Sequence, residues 1–269
     1  MKIAFIGVGN MGATYARGFI RSKIIDKESL LLIEKDEARR AKLEEENIGK
    51  VHGKIDTLLS DYDIVFIAVK PQVFKSIAPL LKPVLKKKQL VISIMAGIKI
   101  KSLREFLDHD NIVRAMPNTP AQLGFGITGF SGKSLSAKTI SQVDTLLETT
   151  GKSIFMKEEE QLDAVTAISG SGPAYFFYFI KHIIEAGISM GLEPHIASML
   201  ANETMLGSFQ MLSNTSLSAE ELITGVTSKK GTTEAALKSF EKSEIGKNII
   251  KGLKAAEARA KELSKEVLE

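Results

Sequence analysis

The chain has no cysteine among its 269 residues. Disulfide bridges, zinc sites with thiolate ligands and a cysteine nucleophile are therefore excluded. No apolar run reaches the roughly 18 residues that a membrane-spanning helix needs, so no contact with a membrane is expected. Met1 leads directly into an apolar stretch, which predicts that no signal or transit peptide precedes it. Together these features favour the cytoplasm as the location.

Long basic runs and clustered metal ligands are also scarce. The net charge is +4, and the basic run Lys86-Lys87-Lys88 has no aromatic residues interleaved with it. Such a run is typical of a solvated loop, so nucleic-acid binding is not expected, and small anionic molecules fit the mild positive excess better. No histidine has another histidine four residues away, and no metal site is predicted. The absence of G-x-S-x-G and P-loop lysine motifs leaves hydrolases and kinases without support.

What the sequence has instead is a glycine motif at its start. Residues 2–6 predict a strand, and Gly7-Val8-Gly9-Asn10-Met11-Gly12 follows directly. This is the G-x-G-x-x-G turn of a dinucleotide fold. Gly7 permits the tight turn, Gly9 lets a pyrophosphate approach the backbone, and Gly12 lets the next helix lie close to the strand. The N–H groups at the start of that helix would face the phosphates. A purely structural glycine turn is the alternative.

Glu34 follows a second apolar stretch and lies roughly 20 residues after the glycine motif. An acid at this position usually accepts hydrogen bonds from the adenosine ribose, which slightly favours NADH over NADPH. Lys35, Arg39 and Arg40 lie just beyond it and could instead hold a 2′-phosphate. A third interpretation is that Glu34 is a solvated acid in a loop.

Apolar stretches and helical segments alternate through the first half of the chain. Strands are predicted at 2–6, 30–33, 51, 64–69, 90–95, 112–116, 124–132 and 154–156, with helices at 36–47, 55–60, 101–107 and 136–151 and from Pro71. Continuous apolar strands are typical of a parallel sheet that is covered on both faces. We therefore predict an α/β fold in which residues 1–157 form a dinucleotide-binding, Rossmann-type domain with a doubly wound, mostly parallel sheet.

Ligands of such sheets bind beyond the carboxyl ends of the strands. Lys70, just before Pro71, is therefore expected at the rim of the cofactor crevice, and a structural turn with an exposed lysine is the alternative. Ala96 and Gly97 follow the next predicted strand and are small enough to pass close under a nicotinamide ring. Asn118, which lies between two prolines, offers amide donors and an acceptor.

The second half of the chain changes in character. No strand is predicted after Glu158, and helices are predicted at 163–168, 174–190, 193–212 and 247–268 and from Ser218 and Thr232. Residues 158–269 are therefore predicted to form an all-α domain. The segment from Tyr175 to Phe179 is apolar all round its helix, and we expect two copies of the chain to bury it against each other in an isologous dimer.

Four stretches of the chain together resemble the Δ1-pyrroline-5-carboxylate reductase family, which catalyses the last step of proline synthesis. The first three are Ile6–Gly12, Ala68–Pro71 and Met116–Ala121. The most specific is the pair DAVTAISGSGPAY, from Asp163, and ELITGVTSKKGTTEAAL, from Glu221. The resemblance covers the chain end to end. Lys229-Lys230 stand where the family often has Pro-Gly, which leaves the rigidity of that loop open.

The resemblance implies an N-terminal nucleotide domain and a helical C-terminal substrate and dimerisation domain. It implies reduction of 1-pyrroline-5-carboxylate to L-proline by NADPH or NADH, with hydride transfer to the cyclic imine carbon, in a homodimer or a larger homo-oligomer built from dimers. The predicted cofactor-binding residues are Ile6, Gly7, Val8, Gly9, Asn10, Met11, Gly12, Glu34, Ala68, Val69, Lys70, Pro71, Ala96 and Asn118. The predicted substrate-binding residues are Ser171, Gly172, Gly231, Thr232 and Thr233, and Thr233 is also the predicted catalytic residue.

The chemistry of these residues suits a small cyclic imine that carries a carboxylate. Gly231-Thr232-Thr233 precedes a helix, so its free N–H groups would form a carboxylate seat. The Thr233 hydroxyl can donate to or accept from the ring nitrogen, and a helix N-cap is its alternative role. Ser169-Gly170-Ser171-Gly172 would face the substrate because its side chains are small, and a plain helix break is the alternative. A protonated imine needs no strong acid from the protein.

Two other functions remain possible at this level. A β-hydroxy-acid dehydrogenase commonly has a proton-donating lysine near the start of the helix that enters the second domain. Here the corresponding helix has only Lys181, well beyond its start. A non-catalytic relative that senses NAD(P)H is the second alternative. The sequence leaves open the cofactor preference, assembly beyond the dimer, feedback by proline and activity on larger rings.

Overall fold

The structure, a computed structural model, describes residues 1–266 apart from the side chains of Ser264 and Glu266. A first compact unit runs from Met1 to Ser171 and also includes the described residues from Ala255 onward. It is built on one sheet of eight strands. The strands are β1 (Ile3–Ile6), β2 (Leu30–Ile33), β3 (Lys50–His52), β4 (Ile64–Ile67), β5 (Leu90–Ser93), β6 (Ile112–Met116), β7 (Gly126–Gly132) and β8 (Gly151–Phe155).

The sheet has the order β3-β2-β1-β4-β5-β6-β7-β8. Every neighbouring pair is parallel except β6 and β7, which run antiparallel. From β1 the chain adds β2 and then β3 on one side of the sheet. It then crosses to β4, on the other side of β1, and adds β5 to β8 in that direction. The gap between the carboxyl ends of β1 and β4 is therefore the switch point at which dinucleotides bind. The predicted doubly wound, mostly parallel sheet is confirmed.

Helices cover both faces of this sheet. They are α1 (Asn10–Arg21), α2 (Glu37–Glu46), α3 (Pro71–Leu81), α4 (Ile100–Leu107), α5 (Ala137–Leu147) and the short α6 (Gln161–Val165). Phe5 belongs to the core under α1, α2 and α5, whereas Ala4 belongs to the core under α3 and α4. Successive strand residues point to opposite faces, so both sets must be apolar. This explains the continuous apolar strands of the sequence.

Several strand bounds differ from the prediction: β7 begins at Gly126 rather than at residue 124, β8 runs from Gly151 to Phe155 rather than over 154–156, and β4 and β5 end early. β4 ends at Ile67 and β5 at Ser93, so the predicted ends at Val69 and Met95 are wrong. The residues beyond these ends already belong to the turns into the following helices, and Lys70 is the N-cap of α3. Apolar character continues past the ladder because the turn residues are also partly covered, and hydrophobicity alone does not mark the last hydrogen-bonded residue.

The second compact unit, Gly172–Lys254, consists of helices and the short connections between them. Its helices are α7 (Gly172–Ser189), α8 (Pro194–Asn214), α9 (Ala219–Gly225), α10 (Thr232–Lys242) and α11 (Ile245–Glu266), the last of which extends beyond Lys254. Ser218 caps α9 in a capping box with Glu221, as the sequence indicates. Residues 267 and 268 of the last predicted helix lie outside the described residues.

Helices α7 and α8 leave a broad apolar surface uncovered in the single chain. Phe177 is 68% exposed and Phe209 59% exposed. Other large side chains on this surface are Phe176, Tyr178, Ile183, Met199, Leu200 and Leu206. Soluble proteins rarely expose a contiguous apolar patch of this kind without a partner for it. We call these side chains the apolar surface of α7 and α8.

The functional division into residues 1–157 and residues 158–269 stays a proposal. Strand β8 ends at Phe155, and no strand follows it in the described part of the chain. Residues 158–171 belong by their contacts to the first compact unit. Among the helices that the structure describes, none is both long enough and apolar enough to cross a membrane.

Candidate active site

The glycine motif forms a tight turn between β1 and α1. Gly7 has a φ of +85°, a conformation that favours glycine, and its N–H donates to the Ile33 carbonyl at 2.8 Å. Gly9 is the N-cap of α1 and provides no side-chain hydrogen bond. The first intrahelical bond is donated by Ala13, so the N–H groups of residues 10–12 have no acceptor within the described chain. These groups and the helix dipole can bind an anion.

The space around the other glycines separates a packing role from a binding role. A Cβ at Gly12 would lie 2.6 Å from the Gly7 carbonyl oxygen and 3.2 Å from the Ala68 Cβ, so only glycine lets α1 lie this close to the strands. A Cβ at Gly9 would meet no atom within 4 Å. The space above Gly9 therefore fits a pyrophosphate, and residues 6–12 fit the phosphates of a dinucleotide.

Glu34 is not a solvated acid, and that interpretation is wrong. Its side chain is 6% exposed, and one carboxylate oxygen accepts from the Val8 N–H at 3.0 Å and from Arg39 at 3.2 Å. The other oxygen accepts from the Asp36 N–H at 3.0 Å. Burial acts to raise the pKa of Glu34, but these hydrogen bonds outweigh it and hold the pKa below its ordinary value. An ionised carboxylate therefore stands directly against the glycine turn.

The basic residues that follow β2 are placed differently from one another. Arg39 is half exposed and binds the Glu34 carboxylate from the solvent side. Arg40 donates to the carbonyl oxygens of Glu34, at 3.1 Å, and Lys35, at 2.7 Å. Both guanidinium groups therefore lie at the end of β2, where the adenosine ribose of a dinucleotide binds.

The turn after β4 lies beside the glycine motif. The Ala68 N–H donates to the Ile6 carbonyl at 2.9 Å, which extends the pairing of β1 and β4 just beyond the strand ends. Lys70 is exposed, and Pro71 is the first residue of α3, as predicted. Residues 68–71 thus border the switch point, and their contact with a cofactor stays a prediction.

Ala96 and Asn118 follow the neighbouring strands β5 and β6 at the same edge of the sheet. Gly97, with a φ of +74°, turns the chain immediately after the half-buried Ala96. Asn118 is buried, and its side-chain carbonyl oxygen accepts from the Ile127 N–H at 3.0 Å. Its NH₂ group has no acceptor in the described part of the chain, so it is free to donate to a ligand. The structure therefore brings together the carboxyl ends of β1, β4, β5 and β6.

The segment from Ser169 to Gly172 is not a plain helix break. Residues 166–170 form a π-helical turn that continues α6, and the Ser171 N–H donates to the Thr166 carbonyl at 2.9 Å. The Ser169 hydroxyl oxygen is buried without a hydrogen-bond partner among the described residues. Turns of this kind occur frequently at functional sites, and an unpaired buried hydroxyl is costly unless a ligand or water meets it. The predicted substrate-facing role of Ser171 and Gly172 stays a prediction.

Tyr175 is a residue that the sequence did not single out. Its hydroxyl is the other buried oxygen without a described hydrogen-bond partner. The pattern of the sequence showed Tyr175 only as one member of an aromatic run, and no signal in that run separates a polar role from a packing role. The orphaned hydroxyl makes it a second candidate for contact with a substrate.

Gly231-Thr232-Thr233 forms the uncapped start of α10. Gly231 is the N-cap, so the N-cap role considered for Thr233 is wrong. The first intrahelical bond is donated by Ala235, and no described residue accepts from the N–H groups of residues 232–234. Thr233 is half buried, and its hydroxyl likewise has no partner among the described residues. Free N–H groups, which can bind an anion, and a free hydroxyl therefore lie side by side at the start of α10.

The loop before this helix is held in place although it lacks Pro-Gly. Lys230 has a φ of +58°, which is unusual for a residue other than glycine. Its N–H donates to the Glu234 carboxylate at 2.7 Å, and Glu234 also pairs with Lys238 at 3.1 Å. The hydrogen bonds from Lys238 and from the Lys230 amide lower the pKa of Glu234, so the carboxylate is ionised at neutral pH. Glu234 therefore fixes the loop that the sequence left open.

Two clefts lie on the surface of the described part of the chain. A cleft of about 560 Å³ lies between α4 and residues 157–160 and includes none of the predicted site residues. A smaller cleft of about 280 Å³ adjoins Asn10 of the glycine motif and Ala121. Among the described residues, no group of histidine, aspartate and glutamate side chains could hold a metal ion.

Comparison with known proteins agrees with this geometry. Residues 159–263 match the family described as pyrroline-5-carboxylate reductase dimerisation, and residues 2–97 match the family described as coenzyme F420-dependent NADP oxidoreductase. The chain is 38% identical over 268 residues to a pyrroline-5-carboxylate reductase of Pseudomonas aeruginosa, and the match covers 99% of this chain and 98% of that one.

Solved structures of similar proteins cover the chain equally well. A pyrroline-5-carboxylate reductase from Coxiella burnetii is 32% identical with a TM-score of 0.89, and the match covers 98% of each chain. A pyrroline carboxylate reductase from Plasmodium falciparum, solved with NADP bound, is 30% identical with a TM-score of 0.86 and 98% coverage of each chain.

Proposed function

The chain belongs to the pyrroline-5-carboxylate reductase family, and on the basis of its site residues we propose that it reduces 1-pyrroline-5-carboxylate to L-proline with NADPH or NADH. The observation that carries this proposal is the uncapped start of α10, where free N–H groups and the unpaired Thr233 hydroxyl lie together. A carboxylate next to a ring nitrogen is complementary to this pair of features.

The glycine turn and the strand ends around it are suited to hold the dinucleotide. Phosphates would bind the free N–H groups of residues 10–12, with the pyrophosphate above Gly9. Residues 68–71 and Ala96 border the space for the nicotinamide, and the free NH₂ group of Asn118 can donate to it. When bound, the reduced nicotinamide supplies the hydride.

The protein's own contribution is orientation rather than acid catalysis. The free N–H groups of residues 232–234 would hold the substrate carboxylate, and the Thr233 hydroxyl would hold the ring nitrogen. The Gly231 N–H does not take part as predicted, because it donates to the Ser228 carbonyl at 2.9 Å. The protonated imine nitrogen becomes an amine when the adjacent carbon receives a hydride, so no further proton is needed in that step. Placement of the imine carbon therefore accounts for most of the acceleration. This agrees with a site that has no catalytic histidine or lysine.

The simplest test is an activity assay with purified protein. We expect NADH and NADPH absorbance to fall when 1-pyrroline-5-carboxylate is added, and L-proline to accumulate in equal amount. A protein that binds the cofactors but produces no proline would instead be a sensor. The β-hydroxy-acid dehydrogenase alternative is disfavoured because Lys181 is exposed and paired with Glu185 at 3.6 Å. Oxidation of β-hydroxy acids with NAD⁺ would restore that alternative.

Glu34 is expected to set the cofactor preference. We propose that the enzyme uses NADH more efficiently than NADPH, because a 2′-phosphate would meet the buried Glu34 carboxylate. Replacing Glu34 with alanine frees Arg39 for that phosphate, and we expect the NADPH to NADH ratio of kcat/KM to rise about fivefold. Glu45→Ala, at an exposed acid of α2, is the matched control. An unchanged ratio in Glu34→Ala would remove this residue from the account.

Residues 159–263 match a dimerisation family, and the exposed apolar surface of α7 and α8 lies within them. We therefore expect this surface to be buried between two copies of the chain. We propose a homodimer, or a larger assembly of dimers, with this surface at its isologous interface. Light scattering is expected to give at least twice the mass of one chain. Replacing the exposed Phe177 with glutamate is expected to produce monomers and to lower activity, because a charge would be buried. A stable, fully active wild-type monomer would contradict the proposal.

We also place the reaction in the cytoplasm, where both reduced dinucleotides are available, and cell fractionation tests this location.

A further inference from the structure

Arg114 is the largest of the fully buried side chains in the described part of the chain, and it carries a charge. It lies on β6, between β5 and β7, and its side chain is only 2% exposed. Removing a guanidinium group from water is strongly unfavourable unless its charge and its N–H groups find partners. A buried cation next to a binding crevice therefore needs an explanation.

Two carboxylates surround this cation, and they come from one later segment of the chain. One terminal nitrogen of Arg114 donates to Glu159 at 3.2 Å, and the other donates to Asp163 at 3.1 Å. The Asp163 side chain is 2% exposed and that of Glu159 is 20% exposed. The planar guanidinium group presents a separate nitrogen to each acid in a fixed geometry, whereas lysine has a single nitrogen on a flexible stem.

The two acids connect Arg114 to elements that border the candidate site. The Glu159 oxygen that binds Arg114 also accepts from the Ile100 N–H at 2.8 Å, at the start of α4. This helix begins at Ile100, three residues after Gly97 of the Ala96-Gly97 turn. Asp163 lies in α6, which continues into the π-helical turn of residues 166–170. One cation thus ties both elements to β6.

A second contact fixes the π-helical turn against the end of the same strand. A Cβ at Gly170 would lie 2.5 Å from the Met116 Cε, so the turn passes in close contact with the last residue of β6. Met116 is followed by Pro117 and Asn118. The turn that contains Ser169 is therefore placed relative to Asn118 by two independent contacts, and only the one through Arg114 is charged.

We propose that Arg114 is a positioning residue for the reduction, holding the Ser169 turn and the start of α4 in register with Asn118. The inference rests on the proposed function and adds a residue that touches neither substrate nor cofactor. Its loss should misplace the substrate relative to the nicotinamide, whereas the glycine turn, which holds the phosphates, should be unaffected.

The first test replaces Arg114 with lysine, which keeps the charge but loses the planar guanidinium group. We expect kcat for 1-pyrroline-5-carboxylate to fall about fivefold, because small misplacements of reacting atoms lower rates strongly. The KM for NADH is expected to stay unchanged. Arg17→Lys is the matched control, because Arg17 also binds carboxylate oxygens through two guanidinium nitrogens, here both oxygens of Glu46 on the exposed surface. Equal losses in both variants would overturn the proposal.

A second variant separates positioning from stability. Buried ion pairs can often be replaced by apolar residues without loss of fold, so Arg114→Met, Glu159→Gln and Asp163→Leu are combined. Glu159→Gln keeps an oxygen for the Ile100 N–H. We expect thermal unfolding close to that of the wild type with kcat still reduced about fivefold. A wild-type kcat in this folded variant would show that Arg114 is merely structural.

Hydrogen exchange gives a readout that does not depend on catalysis. In Arg114→Lys we expect faster amide exchange in residues 159–171 and at the start of α4, with unchanged exchange in residues 6–21. Unchanged exchange throughout would contradict the positioning role even if the wild type proved to have another activity. Absence of proline formation by the wild type, with this exchange pattern intact, would instead contradict only the proposed function.

Discussion

Replacing Gly9 with alanine is expected to raise the KM for NADH and NADPH about hundredfold while leaving the fold intact. A Cβ at Gly9 would meet no atom within 4 Å, so the protein itself has room for the methyl group. The added methyl would occupy the space in which we place the pyrophosphate. A hundredfold loss corresponds to about 2.7 kcal/mol of binding. Initial rates at varied cofactor concentration, with NADH fluorescence as a direct binding measurement, check this result.

A control and a contrast make the Gly9 prediction specific. Gly252→Ala, in α11, also meets no atom within 4 Å and should leave both KM values unchanged. Gly12→Ala should instead prevent stable folding, because its Cβ would lie 2.6 Å from the Gly7 carbonyl oxygen. A folded Gly9→Ala protein with wild-type KM values would mean that the dinucleotide does not bind over this turn.

Replacing Thr233 with alanine is expected to lower kcat at least about tenfold, which corresponds to about 1.4 kcal/mol of transition-state stabilisation. The Thr233 hydroxyl has no hydrogen-bond partner in the described chain, so its removal should leave stability nearly unchanged. The loss should therefore appear in catalysis, where the hydroxyl would hold a ring nitrogen that changes from imine to amine. Steady-state kinetics with saturating NADH, together with thermal unfolding, check both parts.

Two further variants frame the Thr233 result. Thr233→Ser keeps the hydroxyl and should retain most of the activity. Thr224→Ala removes an exposed hydroxyl that bonds only to the Glu220 carbonyl of its own helix, and it should behave as the wild type. If Thr233→Ala is folded and has a wild-type kcat, Thr233 is only a residue of the first turn of α10.

Local sequence signals were sufficient for the parts of the fold that depend on neighbouring residues. The glycine motif predicted the turn from β1 into α1 because each glycine has a separate steric reason. Apolar runs predicted the buried strands, and the Ser218 capping box predicted the start of α9. The ends at Val69 and Met95 were wrong because covered turn residues are as apolar as the strand residues before them.

Contacts between distant residues were not predictable in this way. Arg114 lies 45 residues before Glu159 and 49 before Asp163, and the sequence of its strand showed only an apolar run with one charge. Glu34 was placed correctly at the end of β2, but its bond to the Val8 amide depends on how the sheet brings two turns together. The π-helical turn at Ser169 and the bond from Lys230 to Glu234 are local, but no residue pattern in the sequence marks either of them.

The central claim is hydride transfer from the dinucleotide to the imine carbon of pyrroline-5-carboxylate. Its most direct test is to incubate the protein with this substrate and NADH or NADPH fully deuterated at C4, and to examine the product by mass spectrometry. The account predicts L-proline with a single deuterium on C5, the ring carbon that is bonded to nitrogen and does not bear the carboxylate. Unlabelled proline, deuterium elsewhere in the product, or no proline with either cofactor would contradict it.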